Sequence, residues 1–160
     1  MKHVPLEKYS IAWFKLSECV ARGEKERALG VYKLLSHSID DAAFAAQLEG
    51  DLFLAFEDDA AVEKYCIAAK RYKKKQRFVE AAAVYEHLVA LQSDVEDHVL
   101  NLILLYQILN FSEKFEYHLK KITEKLSNDE NPTRLNAFLV KLQEVGPEAY
   151  NLAKKFISGK

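Results

Sequence analysis

The chain has 160 residues, with 23 Lys and Arg against 24 Asp and Glu and a net charge of −1, so no global field draws it toward nucleic acid or an anionic bilayer. Five glycines and three prolines are too few turn formers for a β-sandwich of this length, while abundant Ala, Leu, Glu and Lys favour helix. The longest apolar run, VLNLILLYQIL from Val99 to Leu109, is too short to span a bilayer, and the charge-interrupted opening MKHVPLEKYSIAWFKLSE lacks the apolar stretch of a secretory leader; a soluble, cytoplasmic protein with no membrane association is the expectation.

Apolar residues recur at i, i+3, i+4 and i+7 almost throughout, the period of an amphipathic helix. Helices are predicted over about 6–22, 24–38 and 40–57. Gly23 closes the first as a C-terminal cap. Ser38 or Asp40 is positioned to accept hydrogen bonds from the free N–H groups that open the third. The next helices are predicted over about 60–73, 76–92 and 95–109. Asp58 and Asp59 precede the first of these, where negative charge suits a helix N-terminus. Lys70, Arg71, Lys73, Lys74, Lys75 and Arg77 crowd its last turn and the turn beyond. Such charge either answers the exposed carbonyls of a helix end or forms a basic patch for an acidic peptide or phosphates. The apolar run in 95–109 reads as a helix buried on most sides. The last helices are predicted over about 112–127, 131–144 and 147–158. Ser112 with Glu113 opens one, NDENP interrupts the chain before Thr133, and Pro147 after Gly146 fits a first helical turn. Connections of about 2–5 residues belong to antiparallel helix hairpins. The expected fold is all-α, a single domain of stacked antiparallel hairpins with about 8–9 helices.

Self-similarity points to a repeat. Aligning Tyr65 with Val99 brings Ala68 to Leu102, Ala69 to Ile103, Tyr72 to Tyr106, Tyr85 to Leu119 and Leu88 to Ile122. The series Tyr65, Ala68, Ala69, Tyr72, then Phe78, Ala81, Tyr85 and Leu88, resembles the tetratricopeptide repeat. The best repeat covers residues 62–95, with degenerate repeats over about 6–38, 40–73 and 96–129 and capping helices over 131–158. Gly50, Phe53, Ala61, Tyr65 and Ala68 form a partial repeat that overlaps the best one, so two phases of helix pairing stand open. No proline closes the repeat near Ser93, and Trp13 is followed by Leu16 and Ser17 rather than by a Trp-Leu-Gly run. A looser helical-hairpin solenoid is the competing architecture.

The resemblance implies a right-handed superhelix whose concave groove, lined by the first helix of each pair, takes a peptide. At the matching positions stand Glu63, Cys66, Lys70, Lys73 and Lys74, and in the next repeat Asp97, Leu100, Leu104 and Gln107. Cys66 and Leu100 occupy places where a carboxylate clamp needs polar donors, so an acidic, amphipathic segment suits this groove better.

Chemistry-bearing patterns are sparse. His3, His37, His87, His98 and His118 form neither an HExxH nor an i, i+4 pair. Cys19 and Cys66 form no CxxC and are expected as buried, reduced thiols. The acidic clusters at Glu57–Asp59 and Asp94–Asp97 sit at helix starts and lack the calcium-loop spacing. There is no Gly-rich phosphate loop and no GxSxG. No catalytic residue, metal or cofactor is therefore expected. The expected function is a protein–protein interaction module, as scaffold, adaptor or small chaperone, that holds a peptide or helix. One alternative is nucleic-acid or acidic-partner binding through the basic 70–77 cluster. Another is self-assembly through apolar positions such as Phe138, Leu139 and Leu142.

Overall fold

A computed structural model of the chain describes residues 6–159, with side chains described from Ile11 onward. The described residues form nine α-helices and no strand. They are α1 (Leu6–Ala21), α2 (Lys25–Ser36), α3 (Ala42–Ala55), α4 (Ala60–Lys74), α5 (Phe78–Leu91), α6 (Glu96–Ile108), α7 (Ser112–Ser127), α8 (Pro132–Val145) and α9 (Pro147–Ser158). Every boundary falls within about two residues of its sequence expectation, the ordinary uncertainty of a helix end. None of these helices is long and apolar enough to cross a membrane.

The helix stops show why few glycines suffice. Gly23, at φ +70°, ends α1 as expected: its N–H bonds to Val20 O and that of Glu24 to Cys19 O, the paired bonds of a Schellman cap. Glu57 (φ 54°) and Asn110 (φ 57°) make the same paired bonds with side chains in the left-handed region, and Gln76 (φ 58°) shares that conformation. At the start of α3 the capping residue is Asp41, whose Oδ1 accepts from Ala43 N–H at 3.1 Å. Ser38 is engaged elsewhere, donating to Leu35 O, and Asp40 makes no cap. The difference is one of register: the helix begins one residue later than the expectation built on Asp40. Asp58 accepts from Ala60 N–H at 2.8 Å ahead of α4, and Asn131 from Thr133 N–H at 3.0 Å ahead of α8, where Pro132 takes the first turn. Ser112 begins α7 without a side-chain cap.

The chain divides into two compact units, Met1–Lys75 and Gln76–Lys160. In the first, α1 and α2 enclose Leu16, Cys19, Ala28, Tyr32 and Leu35 together with Leu52 of α3. Tyr32 Oη donates to Ala45 O at 2.7 Å, tying α2 to α3. The α3–α4 pair is the most extensively packed in the molecule. Small residues explain this: Ala43, Ala46 and Gly50 on α3 face Ala61, Ala68 and Ala69 on α4, so the axes approach closely and Tyr65 and Tyr72 fill the space between. Gly50 has no room for a Cβ, which would lie 2.9 Å from the Tyr65 ring. The partial repeat of Gly50, Ala61, Tyr65 and Ala68 thus lies within this one hairpin.

In the second unit α6 packs against α5, α7 and α8. Val99, Leu100, Leu102, Ile103, Leu105 and Tyr106 are all buried on it, as the apolar run predicts. The α8 and α9 helices close the unit against α7 and α6. Phe138, Leu139 and Leu142 are buried at 1%, 8% and 0% exposure. They serve the core of their own unit and are not the exposed apolar surface that the self-assembly alternative required.

Candidate functional site

The basic run at the end of α4 separates by role. Arg71 Nη1 donates to Ala42 O at 2.7 Å and Lys75 Nζ bonds Asp41 Oδ1 at 2.8 Å, so both reach across to the start of the antiparallel α3. Further along the same seam, Tyr72 Oη donates to Gln47, Lys64 pairs with Glu49 at 3.1 Å, and Tyr65 Oη donates to Asp51 at 2.7 Å. Arg77 belongs to the start of α5, where it pairs with Glu80 at 2.8 Å. Lys73 is half-buried, and burial draws its ammonium below the ordinary lysine value. Lys70 and Lys74, one turn apart, are exposed and make no hydrogen bond or ion pair among the described residues. With exposed Glu63 and half-exposed Cys66 and Ile67, at helical spacing, they form the outward face of α4.

Cys66 is therefore not the buried thiol expected, because its position on α4 points away from α3; Cys19 is buried as expected, and both are free. Burial still pushes the Cys66 thiol up, outweighing the opposite pull of Lys70, which keeps it protonated and poorly nucleophilic.

The α6 residues fall on a different unit. Asp97, Leu100 and Leu104 line a cleft of about 460 Å³ beside α8, completed by Lys141, Glu144 and Val145. Leu100, only 6% exposed, forms its floor. Lys141 Nζ bonds Asp97 Oδ1 at 2.6 Å, and Arg134 holds Glu96 and Asp129 nearby. Gln107 lies further along, donating to Glu148 at 3.5 Å while its Oε1 is buried without a partner among the described residues. The residues at the expected groove positions thus form two sets: Glu63, Cys66, Lys70, Lys73 and Lys74 on α4, and Asp97, Leu100, Leu104 and Gln107 on α6.

Sequence reasoning missed two features. One is the apolar surplus of the first unit: an α1–α3 cleft of about 420 Å³ is lined by Trp13, Leu16, Val20, Leu48, Leu52 and Ala55, and Ile11 and Phe14 are 56% and 71% exposed. The signal was present, since α1 has more apolar positions than a single buried stripe needs. The other is a polar cluster of the second unit. Glu86 accepts from Tyr106 Oη and pairs with Lys114 at 2.7 Å, and His118 lies 5.5 Å from Tyr106 between ring centroids. Burial pushes the Glu86 carboxyl up, but the bonds from Lys114 and Tyr106 and the charge of Lys114 outweigh it and hold the group below the usual carboxylate value. Glu86 and His118 lie far apart in sequence, so no motif announces them.

His3 lies outside the described residues. Among those described, no group of three or more His, Cys, Asp or Glu side chains is gathered to hold a metal ion. Compared with known proteins, the chain matches no family model, no curated protein and no solved structure.

Proposed function

We propose that this chain is a protein-interaction module built from tetratricopeptide-like helix hairpins, acting as a scaffold, adaptor or small chaperone for an acidic, amphipathic peptide or helix. The observation that supports it best is the outward face of α4. Arg71 and Lys75 are consumed in the seam with α3, while Lys70 and Lys74 remain exposed without partners beside half-exposed Ile67 and Cys66. Two unpaired cations following a short apolar strip along one helix face complement a helix that carries acids beside an apolar edge. Unsatisfied lysines on a surface are inexpensive by themselves, so the reading rests on their combination with that strip.

The test is affinity capture with the native chain and with the Lys70→Glu, Lys74→Glu double variant as baits, followed by mass spectrometry. A saturable protein partner retained by the native bait and lost from the variant supports the reading. A partner retained equally by both removes α4 as the site. The absence of any saturable protein partner removes the function, and saturable binding of a labelled oligonucleotide at low salt would replace it with the nucleic-acid alternative.

A further inference from the structure

The second unit holds a cleft whose chemistry differs from the others. It has a volume of about 290 Å³ and lies between the end of α5 and the face of α7 that carries His118, Ile122 and Lys125, with Val99 of α6 in its wall. Val89, Val99 and Ile122 line it with apolar surface, and Val99 and Ile122 are each 4% exposed. His118, Lys121 and Lys125, spaced i, i+3 and i+7 on one face of α7, supply its polar side together with Ser93. No carboxylate lines it, whereas the α6–α8 cleft carries Asp97 and Glu144. The nearby acid, Glu86, is already engaged by Lys114 and Tyr106. Lys125 is steadied by donating to Ser93 O at 2.9 Å, which uses one of its three N–H groups, and the Lys121 ammonium rests 5.8 Å above the Tyr117 ring.

We infer that this cleft binds a small amphipathic anion, a carboxylate or phosphate monoester on a short apolar tail, with Lys121 and Lys125 taking the anion and Val89, Val99 and Ile122 taking the tail. The volume is that of about ten water-sized groups at roughly 30 Å³ each, which matches an eight-carbon carboxylate, head group included. His118 supports the assignment in its neutral form. Burial, together with the charges of Lys121 and Lys114, draws it below the ordinary histidine value, so near neutrality its ring contributes a flat polarisable wall and a hydrogen-bond donor. A cavity that is mostly apolar with a few convergent polar groups is the usual form of a small-ligand site. This inference stands apart from the α4 surface and does not depend on a protein partner.

Titration of methyl-labelled protein with sodium octanoate, with the neutral isostere octanamide and with inorganic phosphate, followed by two-dimensional NMR, tests it. Octanoate is expected to move the methyl signals of Val89, Val99 and Ile122 saturably below about 1 mM, with octanamide about tenfold weaker and phosphate weaker still. The Lys121→Gln variant, which removes only the cation above Tyr117, is expected to weaken octanoate about threefold or more and to leave octanamide unchanged. Adding Lys125→Gln should deepen the loss to about tenfold or more. Octanamide as tight as octanoate, phosphate as tight as octanoate, an unaltered affinity in both variants, or no saturable shift up to about 10 mM would each overturn the assignment. A shift confined to the α1–α3 cleft would do the same.

Discussion

Gly50 lies in the middle of α3, where an Ala would ordinarily be the better helix former by about 1 kcal/mol. Here its Cβ would stand 2.9 Å from two carbons of the fully buried Tyr65 ring, and that ring is held by the bond from its hydroxyl to Asp51. Gly30, also mid-helix, has open space around it. The same substitution should therefore act in opposite directions. Gly50→Ala is expected to cost a net of about 1–3 kcal/mol through overpacking. Gly30→Ala is expected to stabilise by about 0.5–1 kcal/mol through backbone entropy. Denaturant midpoints with equal slopes measure both, and a Gly50→Ala chain as stable as the native one contradicts the close α3–α4 packing. The sequence flagged Gly50 through its place in the partial repeat. It gave no such warning at Glu57, Gln76 or Asn110, whose left-handed backbones do the work usually left to glycine. Asn110 is of a type that tolerates this region, but nothing in Glu57 or Gln76 distinguishes them until the flanking helices fix where the turn must fall.

Helices were the most legible level, because each carries its own apolar period. What the period could not allocate was the use of each polar residue. The six basic residues from Lys70 to Arg77 read as one cluster in the sequence, yet Arg71 and Lys75 bind α3, Arg77 opens α5 and only Lys70 and Lys74 stand unpartnered. The aromatic positions of the repeat are also unequal. Tyr72 is 2% exposed and Tyr85 5%, while Phe78 is only half-buried. Tyr72→Ala is expected to cost about 3–5 kcal/mol, from lost transfer energy and the cavity left behind. Tyr72→Phe keeps the ring and loses the hydroxyl bond to Gln47, and about 1 kcal/mol is the expected loss. Thermal or urea unfolding that ranks Phe with Ala would show that the hydrogen bond, and not the packed ring, secures the seam.

At the scale of the whole molecule the net charge is near zero at pH 7, so between about pH 8 and 5 the acid response is set chiefly by individual groups, and general repulsion grows only as the carboxylates protonate. Burial holds His98 and His118 below the ordinary histidine value of 6.5. The unfolded chain then takes up protons that the folded chain refuses, and stability falls as pH drops through the unfolded value. Glu86 and Asp58 are shifted the same way. Bonds from Lys114 and Tyr106 outweigh the burial of Glu86, and the bond from Lys25 leads at Asp58. Their stabilisation is complete above the unfolded carboxylate values and is lost as pH falls through the folded ones. Unfolding free energy should therefore be flat near pH 8, decline between about pH 7 and 5, and decline again below about pH 4.5. The His98→Gln, His118→Gln double variant should flatten the first decline and leave the second; an unchanged profile would show that these histidines are as solvated in the folded chain as in the unfolded one. The sequence by itself determined that the described chain is all-helical and, to within about two residues, where each helix begins and ends, because periodicity and turn chemistry act over a few neighbouring residues. Only tertiary structure decided that the chain forms two compact units, that Phe138 and Leu142 are core, and that Val89, Lys121 and Ile122 share one cleft. Burial and proximity between distant residues are properties of packed helices, and local sequence does not encode them.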